Sequence, residues 1–235
     1  MRNVVQLSSC MLDAQRDPLR LPPRPVSIRN PDYEDQFDFT SLFCDVFWER
    51  SGEGVLLLGP PLLNLLGHSG LEFRALPSGA TCNPAITHRF WMDQVNLPVP
   101  PGTTGIDLHC GNACFTLSIQ SNLSHLFKGR RAVFTMNRNN DFTWIRDWVK
   151  FQRDAHGCDG ILLYDHQSDA YALADLHDTI QSVHADLQVA VLSWPFPYGV
   201  FDGRHELTYN IYDSFYSQAV ILEHARRRFL GHART

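Results

Sequence analysis

The chain has 235 residues, 44% apolar and 19% charged, with a formal net charge of −5 at pH 7. This composition is that of a globular and not a disordered chain, it gives no reason to expect a nucleic-acid reader, and it suffices to bury one large or two modest cores. No run approaches the roughly 20 apolar residues of a membrane span, and the first residues lack a signal-peptide core, so a cytoplasmic protein is expected. Cys10, Cys44, Cys82, Cys110, Cys114 and Cys158 form no tight framework and are expected as thiols.

Residues 1–35 are polar and rich in proline (Pro18, Pro22, Pro23, Pro25, Pro31), which predicts an extended, partly mobile lead-in. Residues 36–128 change to short strands, at Val55 to Leu58, Phe90 to Met92, Ile106 to Leu108 and Phe115 to Ile119, separated by turns such as Gly59-Pro60-Pro61. Helical periodicity is scarce there, and a β-sandwich-like domain is expected. Trp48 and Trp91 either stack on a sugar or fill the core. His109-Cys110-Gly111-Asn112-Ala113-Cys114 holds half the ligands of a zinc site, but no second cysteine pair follows; a hairpin turn is the preferred reading. The segment Phe127-Lys128-Gly129-Arg130-Arg131 marks the expected domain boundary.

Residues 129–235 read as a mostly parallel β-α-β domain. A strand at Ala132 to Met136 leads into Asn137-Arg138-Asn139-Asn140, a loop whose amides and single cation suit a phosphate or a polar ring. Asn140 or Asp141 caps the helix that follows, and Gly157 ends it. Trp144, Ile145, Trp148, Val149 and Phe151 are expected to form one broad apolar face in the core. Ile161 to Tyr164 reads as a buried parallel strand, with Asp165, His166, Gln167, Ser168 and Asp169 emerging where ligands of α/β sheets bind. A helix at Tyr171 to Val183 and a strand at Leu187 to Leu192 extend the pattern. Ser193 to Gly199 is a proline-locked loop whose Trp194, Phe196 and Tyr198 either line a sugar pocket or plug the core. Tyr212-Asp213-Ser214 is expected to cap a last helix carrying Phe215, Ala219, Leu222, Ala225 and Phe229 inwards, with Arg226, Arg227 and Arg228 complementing its C-terminal dipole.

The helix Trp144-Ile145-Arg146-Asp147-Trp148-Val149-Lys150-Phe151 and the strand end Tyr164-Asp165-His166-Gln167-Ser168-Asp169 resemble nucleotide-sugar-dependent glycosyltransferases of the GT-A fold, of the family 92 and related family 2 type. Those carry W-[IL]-x-[DE]-W-[VI]-x-[FY] and Y-D-N-G-S-x-D; here His166 and Gln167 replace the usual Asn-Gly. The resemblance covers roughly the last hundred residues. It implies a Rossmann-like nucleotide-sugar domain, incomplete here, in which Asp165 hydrogen-bonds the base or ribose and Asn137, Arg138 and Asn139 meet the nucleotide. His166 either titrates near neutral pH or is simply exposed, and Asp169 assists or caps the next helix. Gln218 matches a position near the donor or is surface helix.

In that family an apolar strand ending in Asp-x-Asp follows the last helix and holds Mn²⁺ or Mg²⁺ against the donor diphosphate. Those ligands lie outside the sequence up to Thr235, so the expectation is the front part of a transferase or a split one, with a partner chain supplying the rest. Two function classes follow: a glycosyltransferase moving a sugar from a nucleotide donor to a saccharide acceptor in bacterial surface-polysaccharide synthesis, or a non-catalytic nucleotide- or carbohydrate-binding protein. Neither a dinucleotide fingerprint nor a P-loop is present.

Overall fold

The computed structural model describes residues 3–67, 70–201 and 211–234, which form a mixed α/β fold with several sheets, one of them parallel. In chain order come strands β1 (Val4–Val5) and β2 (Cys10–Met11), helix α1 (Tyr33–Gln36), and strands β3 (Ser41–Phe43), β4 (Asp45–Trp48), β5 (Gly54–Gly59), β6 (Leu71–Leu76), β7 (Ala80–Cys82) and β8 (Ala85–His88). Strands β9 (Asp93–Pro98), β10 (Gly105–Cys110), β11 (Ala113–Ser118) and β12 (Ala132–Asn137) follow, then helix α2 (Phe142–His156) and strand β13 (Gly160–Asp165). Helix α3 (Leu173–Gln181), strand β14 (Gln188–Ser193) and helix α4 (Tyr216–His224) complete the series. The chain divides into two compact units, the first drawn from Met1–Gln6, Asn122–Pro195 and Ala225–Thr235, the second from Leu7–Ser121 and Phe196–His224.

The first unit is built on a parallel sheet in the order β1-β14-β13-β12. From β12 to β14 the sheet grows in one direction, so right-handed crossovers put α2 and α3 on the same face. There Ile145 and Val149 of α2 and Leu176 and Ile180 of α3 meet Ile161, Leu163, Val189 and Val191. Each such aliphatic side chain stabilises the unit by about 1.5–3 kcal/mol when fully buried. Asp141 caps α2 by accepting from the Thr143 N–H at 2.6 Å, and that bond holds its carboxyl below the ordinary value. Gly157, at φ 66°, ends the helix in the left-handed conformation, as its sequence position suggests.

Two expectations for this unit change. The broad face of α2 is two stripes: Ile145 and Val149 are buried, but Trp144 is 69% and Phe151 58% exposed. Residues one position apart stand about 100° apart around a helix, so Trp144 and Phe151 miss the core that Ile145 and Val149 enter, while half-buried Trp148 packs against it as expected. Part of the supposed lead-in is also structural, because Val4–Val5 pairs in parallel with Val191 and Leu192.

The second unit holds two four-stranded antiparallel sheets, β11-β10-β6-β7 and β4-β5-β9-β8, and the pair β2-β3. Val46, Val55, Leu57 and Val95 from one sheet and Phe73, Ala75, Ile106 and Leu108 from the other belong to one apolar core. Half-buried Trp48 packs against that core. Phe90 to Met92 precedes β9 rather than forming a strand, and Phe90 stacks on Tyr212 at 4.1 Å. His109 to Cys114 is the β10–β11 hairpin, turning through Gly111 at φ 58°.

Residues 7–35, expected to be extended and partly mobile, are anchored in this unit. Arg20 is fully buried and donates to the carbonyls of Pro61, Asp38 and Ser41 at 2.5–2.6 Å. Arg24 grips Asp213 with two bonds, of 2.9 and 2.5 Å. Asp213 is thus an ion-pair partner and not the expected helix cap. Ser8 N–H donates to Asp45, whose other oxygen meets His224 Nε2 at 2.8 Å. Leu222, expected inside, is 60% exposed; Tyr216, Val220 and Ile221 are the buried apolar residues of α4, and Ala225 and Phe229 just after it are buried as expected.

All six cysteines are free thiols, and only Cys114 is exposed. Burial pushes the thiols of Cys10, Cys44, Cys82, Cys110 and Cys158 upwards. An aromatic disulfide reagent at pH 8 is therefore expected to titrate one fast thiol in the native chain. Cys114→Ser should abolish that fast phase, leaving five thiols that react only on unfolding.

Candidate functional site

The parallel sheet brings Asn137, Asp165 and Ser193 into one row, since Asn137 pairs with Asp165 and Asp165 with Ser193 at the carboxyl ends of β12, β13 and β14. Asn137 and Asp165 are buried, and at 4% exposure Asp165 shows little of its carboxylate to solvent. Its oxygens are engaged from inside. Oδ1 accepts from Asn137 Nδ2 at 2.8 Å and from the Ser168 hydroxyl at 2.7 Å, while Oδ2 accepts from the Ser168 N–H at 3.0 Å.

Asn137 is equally engaged: its second Nδ2 hydrogen goes to the Tyr171 hydroxyl at 2.7 Å, and its Oδ1 accepts from Asn140 at 2.9 Å. The Ser168 hydroxyl also accepts from the Asn139 N–H at 2.8 Å. The Asn139 side chain then clamps the second loop. Its amide nitrogen donates to Asp169 at 2.8 Å, and its oxygen accepts from the N–H groups of Asp169 and Ala170 at 3.0 and 3.2 Å. The two loops at the sheet edge are thereby held as one polar platform.

Of the sequence-derived site residues, Asn137, Asn139, Asp165 and Asp169 meet in this network, and Arg138 stands exposed beside it. Asp169 is no helix cap, because α3 begins at Leu173 behind Ala172, and the Asn139 amide takes its carboxylate. His166 is buried and not exposed; its N–H donates to the Asn137 carbonyl at 2.7 Å. Trp194 is fully buried and meets Tyr164 edge-on, with ring centres 5.5 Å apart, so it plugs the core and offers no face to a sugar. Trp194 belongs to the first unit, whereas half-buried Tyr198 and exposed Gln218 belong to the second.

Asn140 and Ser168, expected at this edge from the sequence, join the network, and sequence reasoning overlooked Tyr171, which it read only as a helix start. It also overlooked a cavity of about 220 Å³ that opens beside Asn137 and Asn140 and is walled by Trp144, Trp148 and Leu163. A clue lay in the spacing of Asn137 and Asn140, three residues apart and bonded to each other.

Gln167 takes φ 59°, a conformation in which a side chain is strained and glycine is not. Gln167→Gly is expected to keep the loop and raise stability by about 0.5–1 kcal/mol, read as a shift of the urea midpoint.

Among the described residues no group of three or more His, Cys, Asp or Glu side chains is placed to hold a metal ion. No helix among them is long and apolar enough to cross a membrane. Comparison with protein-family models, with curated proteins and with solved structures finds no match to this chain.

Proposed function

We propose that the chain is a nucleotide-sugar-binding protein of the glycosyltransferase type. In this reading the first unit is a GT-A-like donor domain and the second a β-sandwich-like partner domain, serving sugar transfer to a saccharide acceptor in surface-polysaccharide synthesis. The observation that carries the reading is the platform at the carboxyl edge of the parallel sheet, where Asn137 and Asp165 stand in register and fix two polar loops. That edge is where open α/β sheets bind ligands. A prefixed platform lowers the ordering cost of binding a flexible diphosphate.

The roles divide by exposure. Asp165 and Asn137, bonded inwards, position the loops, while exposed Arg138, Asn139 and Asp169 face the ligand. A guanidinium suits a diphosphate because it donates paired hydrogen bonds and keeps its charge. In the transfer, an acceptor hydroxyl oxygen forms a bond to the anomeric carbon as the bond from that carbon to the diphosphate breaks, the diphosphate leaving with the electron pair and the hydroxyl proton passing to water.

The test is thermal denaturation and calorimetric titration with nucleoside diphosphates of each common base and with their sugar esters, with and without Mn²⁺. A ligand at about a hundred times its Kd stabilises by about 2.7 kcal/mol, well within reach of a melting shift. Absence of binding by every diphosphate overturns the reading. Binding without transfer or hydrolysis of the sugar assigns the chain to the non-catalytic alternative.

A further inference from the structure

The second unit holds a pocket of about 620 Å³, bounded by the β8–β9 hairpin, the short turn Leu63–Leu66 and Tyr212. That volume falls within the roughly 300–1,000 Å³ of small-molecule sites. Its walls divide by chemistry. Leu63, Leu66, Phe90 and Tyr212 make an apolar side, on which Phe90 stays 61% exposed although it stacks on Tyr212. Leu63 takes φ 50°, a strained conformation for a branched side chain, and such strain gathers at ligand clamps.

The polar side comes from the hairpin. His88 and Asp93 stand directly opposite in the β8–β9 register, and Arg89 to Met92 close the turn, the Arg89 N–H donating to the Met92 carbonyl at 3.0 Å. Buried Asp93 is satisfied locally. Its Oδ2 accepts from the Leu62 N–H at 2.8 Å, and its Oδ1 accepts from His88 Nδ1 at 3.1 Å, because an ionised carboxylate only accepts. That bond orients the imidazole and leaves Nε2, on the far side of the ring, for another partner. The next residue, Arg89, is exposed in the same wall and pairs with no carboxylate among the described residues. The charge left to a ligand is therefore the guanidinium's.

We propose that this pocket binds a small organic monocarboxylate with an apolar body, its carboxylate on Arg89 and its body against Leu63, Leu66, Phe90 and Tyr212. The guanidinium keeps its charge and donates paired hydrogen bonds to a carboxylate. His88, held by Asp93, adds a polar contact through Nε2. A free sugar fits the wall poorly, since burying its hydroxyls against Leu63, Leu66 and Phe90 would leave them without partners. An ammonium ion would meet the like charge of Arg89. The inference concerns the second unit alone and stands or falls independently of the nucleotide reading.

The test is calorimetric titration of the full chain with three probes that share one body, naphthoate, naphthamide and naphthylmethylammonium, and with glucose as the sugar. Naphthoate is expected to bind about tenfold or more tighter than the amide, the worth of a charge-assisted contact, and the ammonium probe and glucose more weakly than either. Nuclear Overhauser contacts should place the naphthyl protons against the rings of Phe90 and Tyr212. Arg89→Gln changes an exposed side chain, so the melting temperature should hold within about 1 °C while naphthoate falls to the affinity of the amide and the amide stays unmoved. Leu66→Trp, which fills the pocket with an indole, should weaken both. Failure of naphthoate to bind at millimolar concentration overturns the proposal, as does tighter binding of glucose or the ammonium probe. Naphthoate affinity unchanged by Arg89→Gln, or equalled by the amide, overturns the assignment of a carboxylate to this wall.

Discussion

Asp213→Ala is expected to destabilise the chain by about 3–5 kcal/mol, the largest single-residue effect outside the hydrophobic cores. Arg24 and Asp213 are both fully buried, and the guanidinium meets the carboxylate through two bonds. The Tyr33 hydroxyl donates to the same carboxylate at 2.6 Å, and the Arg24 guanidinium lies 5.3 Å from the centre of the Tyr33 ring. Removing the carboxylate strands a cation that cannot shed its proton. Desolvation is therefore no longer offset by attraction. Tyr33→Phe removes one hydrogen bond to a charged group and should cost about 1.5–3 kcal/mol. The double variant Arg24→Met with Asp213→Leu should recover most of the loss, because no charge remains buried. Urea unfolding followed by far-ultraviolet circular dichroism measures all three. A double variant no more stable than Asp213→Ala would show that shape, not charge, governs the site. Burial first, and then the bond to Asp213, raise the Tyr33 hydroxyl far above the ordinary tyrosine value of 10. Its contribution is thus whole below pH 10 and is lost as pH rises beyond it towards the folded-state value.

That pair marks the limit of reading this chain from its residues. The β-α-β core was legible because a strand covered on both faces reads as an unbroken apolar run, Ile161 to Tyr164, and because Asp141 and Gly157 bracket α2 with opposite stop signals. Arg24 was not legible: a proline-rich polar stretch resembles solvated chain, and its partner lies 189 positions away. Val4 and Val5 make a strand too short for any periodicity, paired across the chain with Val191 and Leu192. On α2 the sequence carries both stripes of apolar residues and cannot say which the sheet covers; the structure buries Ile145 and Val149 and leaves Trp144 out. At the site, the position of Asp165 followed from its place at a strand end, but its engagement did not. Ser168 and Asn137 reach it because the loops fold back, and that depends on Asn139 holding φ 50° and Gln167 φ 59°.

Replacing Asp165 separates two ways in which an acid serves a site. Three donors converge on its carboxylate, from Asn137 Nδ2, the Ser168 N–H and the Ser168 hydroxyl, and a neutral methyl satisfies none of them. Asp165→Ala should lower stability by about 2–3 kcal/mol and release both loops, so that nucleotide affinity falls together with the melting temperature. Asp165→Asn is not a mild change here. Its oxygen can serve one donor, but its amide hydrogens must face another, and it should recover less than half of the lost stability. Arg138→Ala is the counterpart. An exposed cation contributes little to folding, so the melting temperature should hold within about 1 °C, whereas loss of a charge-assisted contact to a diphosphate should weaken binding about 10- to 100-fold. Calorimetric titration beside thermal unfolding reads the two quantities separately. The expected pattern is affinity and stability falling together in Asp165→Ala and affinity falling alone in Arg138→Ala. If Asp165→Ala keeps the wild-type melting temperature and loses only affinity, its carboxylate touches the ligand directly and the positioning role is wrong. If Arg138→Ala binds every nucleoside diphosphate as the wild type does, the exposed loop is not the phosphate contact and the ligand must be sought elsewhere on the sheet edge.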